Sequence, residues 1–146
     1  MRALFLILIT LSLHAAGYWT LTGLDKANIY VKNDVALLKP ATVKKMKEKM
    51  VVMLESLGLK VKAQDSPTLM ISLEDIENEG VHYIYLKLAL GEEVQTFRAD
   101  KTSTFALTYA GYDFIDTDEG EMDKDVLESV DFLLLQFKEH FEDDNE

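Results

Sequence analysis

Residues 67–94 read PTLMISLEDIENEGVHYIYLKLALGEEV, and this stretch decides the fold. Apolar side chains alternate with more polar ones over residues 69–74, and the alternation resumes over residues 83–90. Alternation with a period of two predicts strands that bury one face. A short polar turn that contains Gly80 separates the two runs, and this arrangement predicts a β-hairpin.

The alternation divides the side chains of the hairpin between two faces. The buried face is expected to hold Ile84, Leu86 and Leu88 of the second strand. The opposite face mixes aromatic and polar groups, and its candidate binding residues are Tyr30, Met70, Tyr83, Tyr85 and Lys87. Aromatic rings on an otherwise polar face are typical of contact surfaces, so a partner-binding role is predicted for these five residues. A solvated face without a partner is the alternative.

Two amphipathic helices are predicted, one after the first strand and one after the last strand. The first covers residues 40–57: it opens with a proline, repeats apolar residues at spacings of three and four, and ends before Gly58. The second covers residues 126–141, with Asp125 as its predicted cap.

Shorter alternating runs predict the remaining strands. Residues 27–31 and 59–63 are two of them, with Val61 pointing inward. A last strand is expected to place Phe105, Leu107 and Tyr109 on the buried face. The order strand, helix, four strands, helix predicts the α+β class, as a two-layer α/β sandwich whose mixed four- to five-stranded sheet carries both helices on one face.

An acidic segment precedes the second helix. Residues 111–125 read GYDFIDTDEGEMDKD and are predicted to form a loop, while residues 142–146 are predicted to be a frayed acidic tail. The EF-hand spacing begins in the loop but fails at its later positions. A weak calcium site is one interpretation, and its ligands would be Asp113, Asp116, Asp118 and Glu121. A solvated acidic loop is the other.

The N-terminus predicts export. A basic start is followed by an apolar run over residues 3–13, which is too short to span a bilayer, and by small residues up to Gly17. Residues 1–17 are therefore interpreted as a cleaved signal peptide, and residues 18–146 as a single domain in the periplasm or outside the cell. An uncleaved membrane anchor is the alternative.

The composition of the chain argues against some classes of binding partner. The formal net charge is −11, so the phosphates of nucleic acids and anionic membrane surfaces are expected to repel the chain. There is no cysteine, which excludes disulfides, thiolate metal ligands and a lipoprotein anchor. Once the signal is removed, no stable membrane anchor is expected.

Residues suited to catalysis are sparse. Phosphate-loop, dinucleotide and zinc-protease motifs are missing, and only His82 and His140 follow the predicted signal. No cofactor is predicted, and the chain is not expected to be an enzyme; a small carboxylate-dependent periplasmic hydrolase is the alternative. Lys44, Lys45, Lys47 and Lys49 form a basic cluster on the first helix, interpreted as a solvated face or as a site for an anion or an acidic partner.

The order of elements resembles that of small Gram-negative envelope proteins. LDKANIYV, then a helix, then SPTLMISLEDI is similar to the plan of the lipopolysaccharide-assembly lipoprotein that plugs the outer-membrane translocon. It also resembles the amino-terminal domain of the Tol-system periplasmic protein. The chain departs from such lipoproteins because it lacks their acylated cysteine. The resemblance implies the fold and an envelope setting, and transfers no site residue.

The sequence therefore predicts a soluble, non-enzymatic periplasmic protein. It would act as a binding or adaptor module, and its partner would be an envelope protein or a glycolipid component.

Overall fold

The elements follow one another in the predicted order. The computed structural model describes residues 20–61 and 67–146, so the predicted signal peptide, residues 1–17, lies outside the described residues. Within these ranges there are five strands and two helices: β1 (Lys26–Asn33), α1 (Pro40–Ser56), β2 (Lys60–Val61), β3 (Thr68–Asn78), β4 (Val81–Gln95), β5 (Ser103–Thr117) and α2 (Met122–Asn145). The predicted α+β class and element order are confirmed.

The strands form one mixed sheet in the order β2-β1-β3-β4-β5. The strand β1 runs parallel to both β2 and β3, whereas β3, β4 and β5 form an antiparallel meander. The predicted hairpin is β3 and β4, and two residues with positive φ connect them, Glu79 at 53° and Gly80 at 81°. Positive φ at both central residues defines a type I′ turn, whose twist matches that of the strands.

Both helices pack on the same side of the sheet. Ile84, Leu86 and Leu88 are fully buried there, as the alternation predicts. They belong to one core cluster with Met50 of α1 and Phe137 of α2. We call this side of the sheet the covered face.

The end of α1 is fixed by backbone hydrogen bonds around Gly58, which has a φ of 75°. The Gly58 N–H donates to the carbonyl of Glu55, and the Leu59 N–H donates to that of Leu54. These two bonds form a Schellman motif, which satisfies carbonyls that the helix leaves unpaired. Leu54 and Leu59 are both buried, so the helix end is anchored in the core.

A β-bulge overturns the predicted orientation of Phe105 and Leu107. Leu90 pairs with Tyr109 but Gly91 pairs with Leu107, so Thr108 is an extra residue in β5. Tyr109 lies on the covered face, whereas Phe105 and Leu107 lie on the opposite one. The inward orientation predicted for Val61 is also wrong, because β2 is a two-residue edge strand whose side chains are exposed.

The predicted acidic loop, residues 111–125, is largely regular structure. The strand β5 continues to Thr117 and α2 begins at Met122. Polar groups on the covered face of β5 have partners on α2: Ser129 Oγ donates to Asp113 Oδ2 at 2.6 Å, and Thr117 Oγ1 donates to Asp125. The predicted cap is wrong as well, since Asp125 lies inside the first turn of a helix that has no side-chain cap.

The predicted frayed tail is helical almost to its end. Asp144 accepts a hydrogen bond from the Leu21 N–H at 2.7 Å, and Asn145 Oδ1 accepts one from the Gly23 N–H at 3.1 Å. The Asn145 amide also donates to the Leu21 carbonyl at 3.2 Å. The last helical residues are therefore held by the first described residues of the chain.

Candidate functional site: the open face of the sheet

The candidate site is the side of the sheet opposite the helices, which we call the open face. Paired residues in neighbouring strands share a face, so the register assigns its members directly. Across β1, β3, β4 and β5 they include Tyr30, Lys32, Met70, Ser72, Glu74, Ile76, Tyr83, Tyr85, Lys87, Tyr112 and Phe114. No described helix or strand covers them.

All five candidate binding residues lie on this face. Tyr30 pairs with Met70 across β1 and β3. Tyr83, Tyr85 and Lys87 follow one another at alternate positions of β4. The predicted shared face is confirmed, and the binding role stays a prediction.

A cluster of three aromatic rings lies on the open face of β4 and of the edge strand β5. Tyr85 stacks on Tyr112 with ring centroids 5.9 Å apart and planes inclined by 11°. It also contacts Phe114, at a centroid distance of 4.7 Å and an angle of 36°. Such pairs hold each other in place, so the cluster presents a preorganised apolar surface.

Sequence reasoning missed Tyr112 and Phe114, which are 47% and 73% exposed. Both lie in the stretch that was predicted to be an acidic loop. The alternation of Tyr112, Phe114 and Asp116 with Gly111, Asp113 and Ile115 was the available signal.

The hydroxyl of Tyr85 stays protonated over a wide pH range. Burial among the neighbouring side chains raises its pKa, and the nearby Tyr112 and Glu74 raise it further. The neutral phenol is both a hydrogen-bond donor and an acceptor. The cluster therefore joins apolar area to a polar group that can orient a partner.

Small residues flatten the face beside the cluster. Ala89 and Ala110 pair with each other and are buried although no helix covers them. The ring of Phe105 lies directly over Gly91, where a Cβ atom would meet Phe105 Cζ at 2.1 Å. The side chain of Met70 borders the same position.

Lysines and carboxylates are mixed on the open face. Lys26, Lys32, Lys60 and Lys87 share it with Glu74, Glu93 and Asp116. Lys32 is paired with Asp34 at 2.6 Å. In a chain of net charge −11, this face has no excess of negative charge, so it repels an acidic partner less than the acidic surfaces of the chain do.

The predicted calcium ligands do not converge. Asp113 points to the covered face and Asp116 to the open face of β5. Asp118 Oδ1 accepts hydrogen bonds from the backbone of Gly120 and Glu121, closing the turn before α2. Within residues 20–61 and 67–146 no group of three potential ligands could hold a metal ion, so the calcium interpretation is wrong.

The basic cluster of α1 is partly engaged. Lys44 pairs with Glu48 at 3.6 Å, and Lys49 bridges to Asp131 of α2 at 2.7 Å. Lys45 borders a groove of about 480 Å³ between the helices, which Val52 and Leu135 line with apolar surface. This groove lies on the opposite side of the molecule from the open face.

The side chains of His82 and His140 contact different residues. His82 is buried on the covered face, and its Nδ1 lies 2.9 Å from a carboxylate oxygen of Asp75. His140 packs its ring against Tyr109, with centroids 5.6 Å apart. The two rings therefore contribute to separate parts of the packing.

A scan against protein-family models finds no match, and a search of curated proteins finds none that is significant. None of the helices in the described ranges is long and apolar enough to cross a membrane. The interpretation of the site accordingly depends on its own geometry and chemistry.

Proposed function

We propose that the chain is an exported, non-enzymatic binding module whose open face contacts another envelope component, a protein or a glycolipid. One observation carries the proposal: exposed apolar side chains gather on this face although polar residues surround them. They are Tyr30, Ile76, Val81, Tyr83, Phe105, Tyr112 and Phe114.

The arrangement has the features of a contact surface. A cluster of rings on β4 and β5 forms its apolar part, and Glu74, Ser72 and Lys87 adjoin this cluster as polar neighbours. Rigid rings lose little conformational entropy on binding and bury a large area, so they anchor partners efficiently. Contiguous apolar patches on protein surfaces mark interaction sites more often than chance.

The envelope setting is supported by the N-terminal sequence and by the order of elements. We expect N-terminal sequencing of the exported protein to start near Tyr18. A protein purified with Met1 intact and outside any membrane fraction would contradict export by a cleaved signal.

Binding is tested by replacing two rings. The Tyr83→Ser, Tyr85→Ser variant should keep its thermal unfolding transition within a few degrees and lose capture of the partner from a native envelope extract. Mass spectrometry of proteins and of extracted lipids distinguishes the two partner classes.

The control is Val52→Ser, Leu135→Ser, which removes two exposed apolar side chains from the helix side. It should capture the same partner as the unchanged protein. If the tyrosine variant still captures that partner, the binding surface lies elsewhere, and Lys44, Lys45 and Lys47 become the next candidates.

The alternative, a carboxylate-dependent hydrolase, would need converging free carboxyl groups in a pocket. Carboxylates do line a cleft between β5 and α2, but Asp113 and Asp125 accept hydrogen bonds there from Ser129 and Thr117. These bonds connect secondary-structure elements, which favours a structural role for the two carboxylates.

A further inference from the structure

The charge of the chain is distributed unevenly. Fourteen of the 26 acidic residues and two of the 15 basic residues follow Tyr112. The segment from Asp113 to Glu146 thus has twelve more negative than positive charges, while the 112 residues before it have a net charge of +1. This segment consists of the second half of β5 and all of α2.

A cleft of about 410 Å³ lies between the two elements of this segment. Phe114 of β5 and the half-exposed Phe132 of α2 line it, and the ring of Phe114 lies at its open-face rim, against Tyr85. Ile115 and Ser129 also line it, together with four acidic residues: Asp113, Asp116, Asp125 and Glu128. None of the described residues that line the cleft is a lysine or an arginine, and Lys124 beside it interacts with Glu128 and Asp125.

One side of the cleft is the edge of the sheet. The strand β5 is last in the strand order and is 15 residues long. The N–H of Phe114 donates to the side chain of its neighbour Asp113 at 2.9 Å, so a carboxylate satisfies it instead of another strand. Farther along, the Thr108 carbonyl accepts from the Thr20 N–H at 3.0 Å, so at this point the edge is bonded to backbone of the same chain.

We propose that this cleft docks an extended, Arg- and Lys-rich segment of a protein partner along the edge of β5. Exposed strand edges bind extended peptides through their backbone groups. Carboxylates pair with guanidinium and ammonium groups, and the faces of Phe114 and Phe132 attract the same cations. The long-range field of the acidic segment steers such a partner towards the cleft.

Charge and shape together favour an extended, basic segment as the molecule that binds in the cleft. An acidic segment would meet the four carboxylates, and an apolar helix would leave the edge groups of β5 unpaired. The inference goes beyond the proposed function, because it concerns the edge of the sheet, although Phe114 borders both the cleft and the ring cluster of the open face.

A synthetic peptide tests the inference directly. The probe is a fluorescent ten-residue peptide that alternates Arg and Val, and fluorescence anisotropy measures its binding to the purified protein. We expect saturable binding that weakens as salt is added, because exposed charge pairs are screened. A peptide with Glu in place of Arg should not bind.

Two charge-matched variants locate the site. Asp116→Asn, Glu128→Gln removes two carboxylates from the cleft and should weaken binding about tenfold, in line with the loss of charge contacts at an interface. Glu139→Gln, Asp143→Asn removes two exposed carboxylates elsewhere on α2 and should change binding less than about twofold. Equal weakening in both would mean that net charge alone attracts the peptide, and would overturn the proposed site.

Backbone methylation tests the mode of binding. N-methyl groups on alternate residues of the Arg-Val peptide remove the N–H groups that would bond to β5, and binding should fall at least about tenfold. Unchanged binding would overturn strand addition. Tyr30→Ser changes the open face on β1, three strands away from β5, and should bind the peptide normally, which separates this inference from the proposed function.

A second copy of the chain is the competing occupant. Sedimentation of the free protein should show a monomer. A dimer that Asp116→Asn, Glu128→Gln dissociates would assign the cleft to self-association and overturn the proposal.

Discussion

The two faces of β4 differ in what their side chains do, although they alternate along one strand. Ile84, Leu86 and Leu88 have no exposed surface, because α1 and α2 cover them. Tyr83 and Lys87, on the other face, remain open to solvent in part. The comparison shows that the helices decide which half of the strand stabilises the fold, and that the other half is free to carry a contact surface.

The largest effect expected from this comparison is at Leu86. Changing Leu86 to Ala should cost about 2–5 kcal/mol of unfolding free energy, through lost burial and the cavity that remains. Tyr85→Ala should cost about 1 kcal/mol, since it loses ring contacts on a surface that water reaches. Denaturant unfolding of both variants measures the difference. Equal losses would mean that both faces are equally important to the core.

A smaller effect separates two threonines of β5. Thr117 is buried and donates to Asp125, so Thr117→Val should cost about 1–3 kcal/mol by leaving a carboxylate with one donor fewer. The hydroxyl of Thr108 is buried without a partner in the described structure. Thr108→Val should therefore be neutral or stabilising by up to about 1 kcal/mol. Thermal unfolding of the two variants measures the difference in stability. A Thr108 variant that loses as much stability as the Thr117 variant would show that side-chain shape, and not hydrogen bonding, determines stability at these two positions.

The smallest effect is expected at the turn that joins the two central strands. Glu79 has a left-handed backbone, which suits asparagine or glycine better than glutamate. Glu79→Asn should stabilise the protein by about 0.5–1 kcal/mol. Glu93→Asn, at an exposed strand position, serves as the control and should give no gain. A destabilised Glu79 variant would show that the turn does not limit the pairing of β3 with β4.

Local patterns predicted those parts of the fold that depend on neighbours in sequence. The period-two alternation of β3 and β4 gave their faces, and proline, apolar spacing and Gly58 gave the bounds of α1 to within a residue. The bulge at Thr108 has no comparable local pattern in the sequence. It depends on how β5 fits β4, and it reverses Phe105 and Leu107.

The second half of β5 was missed for a related reason. Its covered face carries Asp113 and Thr117, which look like loop residues until their partners Ser129 and Asp125 are known. Because this stretch was predicted to be a loop, Tyr112 and Phe114 were not included in the predicted candidate site. The cleft was missed because it lies between β5 and α2, and no local spacing relates the two.

The contact between the two ends of the described chain has a consequence for the order of synthesis. The N–H groups of Leu21 and Gly23 donate to Asp144 and Asn145, more than 120 positions later. A chain that is made and exported from its N-terminus therefore lacks these hydrogen bonds until nearly its last codon has been translated. Resistance of Leu21 and Gly23 to proteolysis would therefore depend on completed folding of the C-terminal helix.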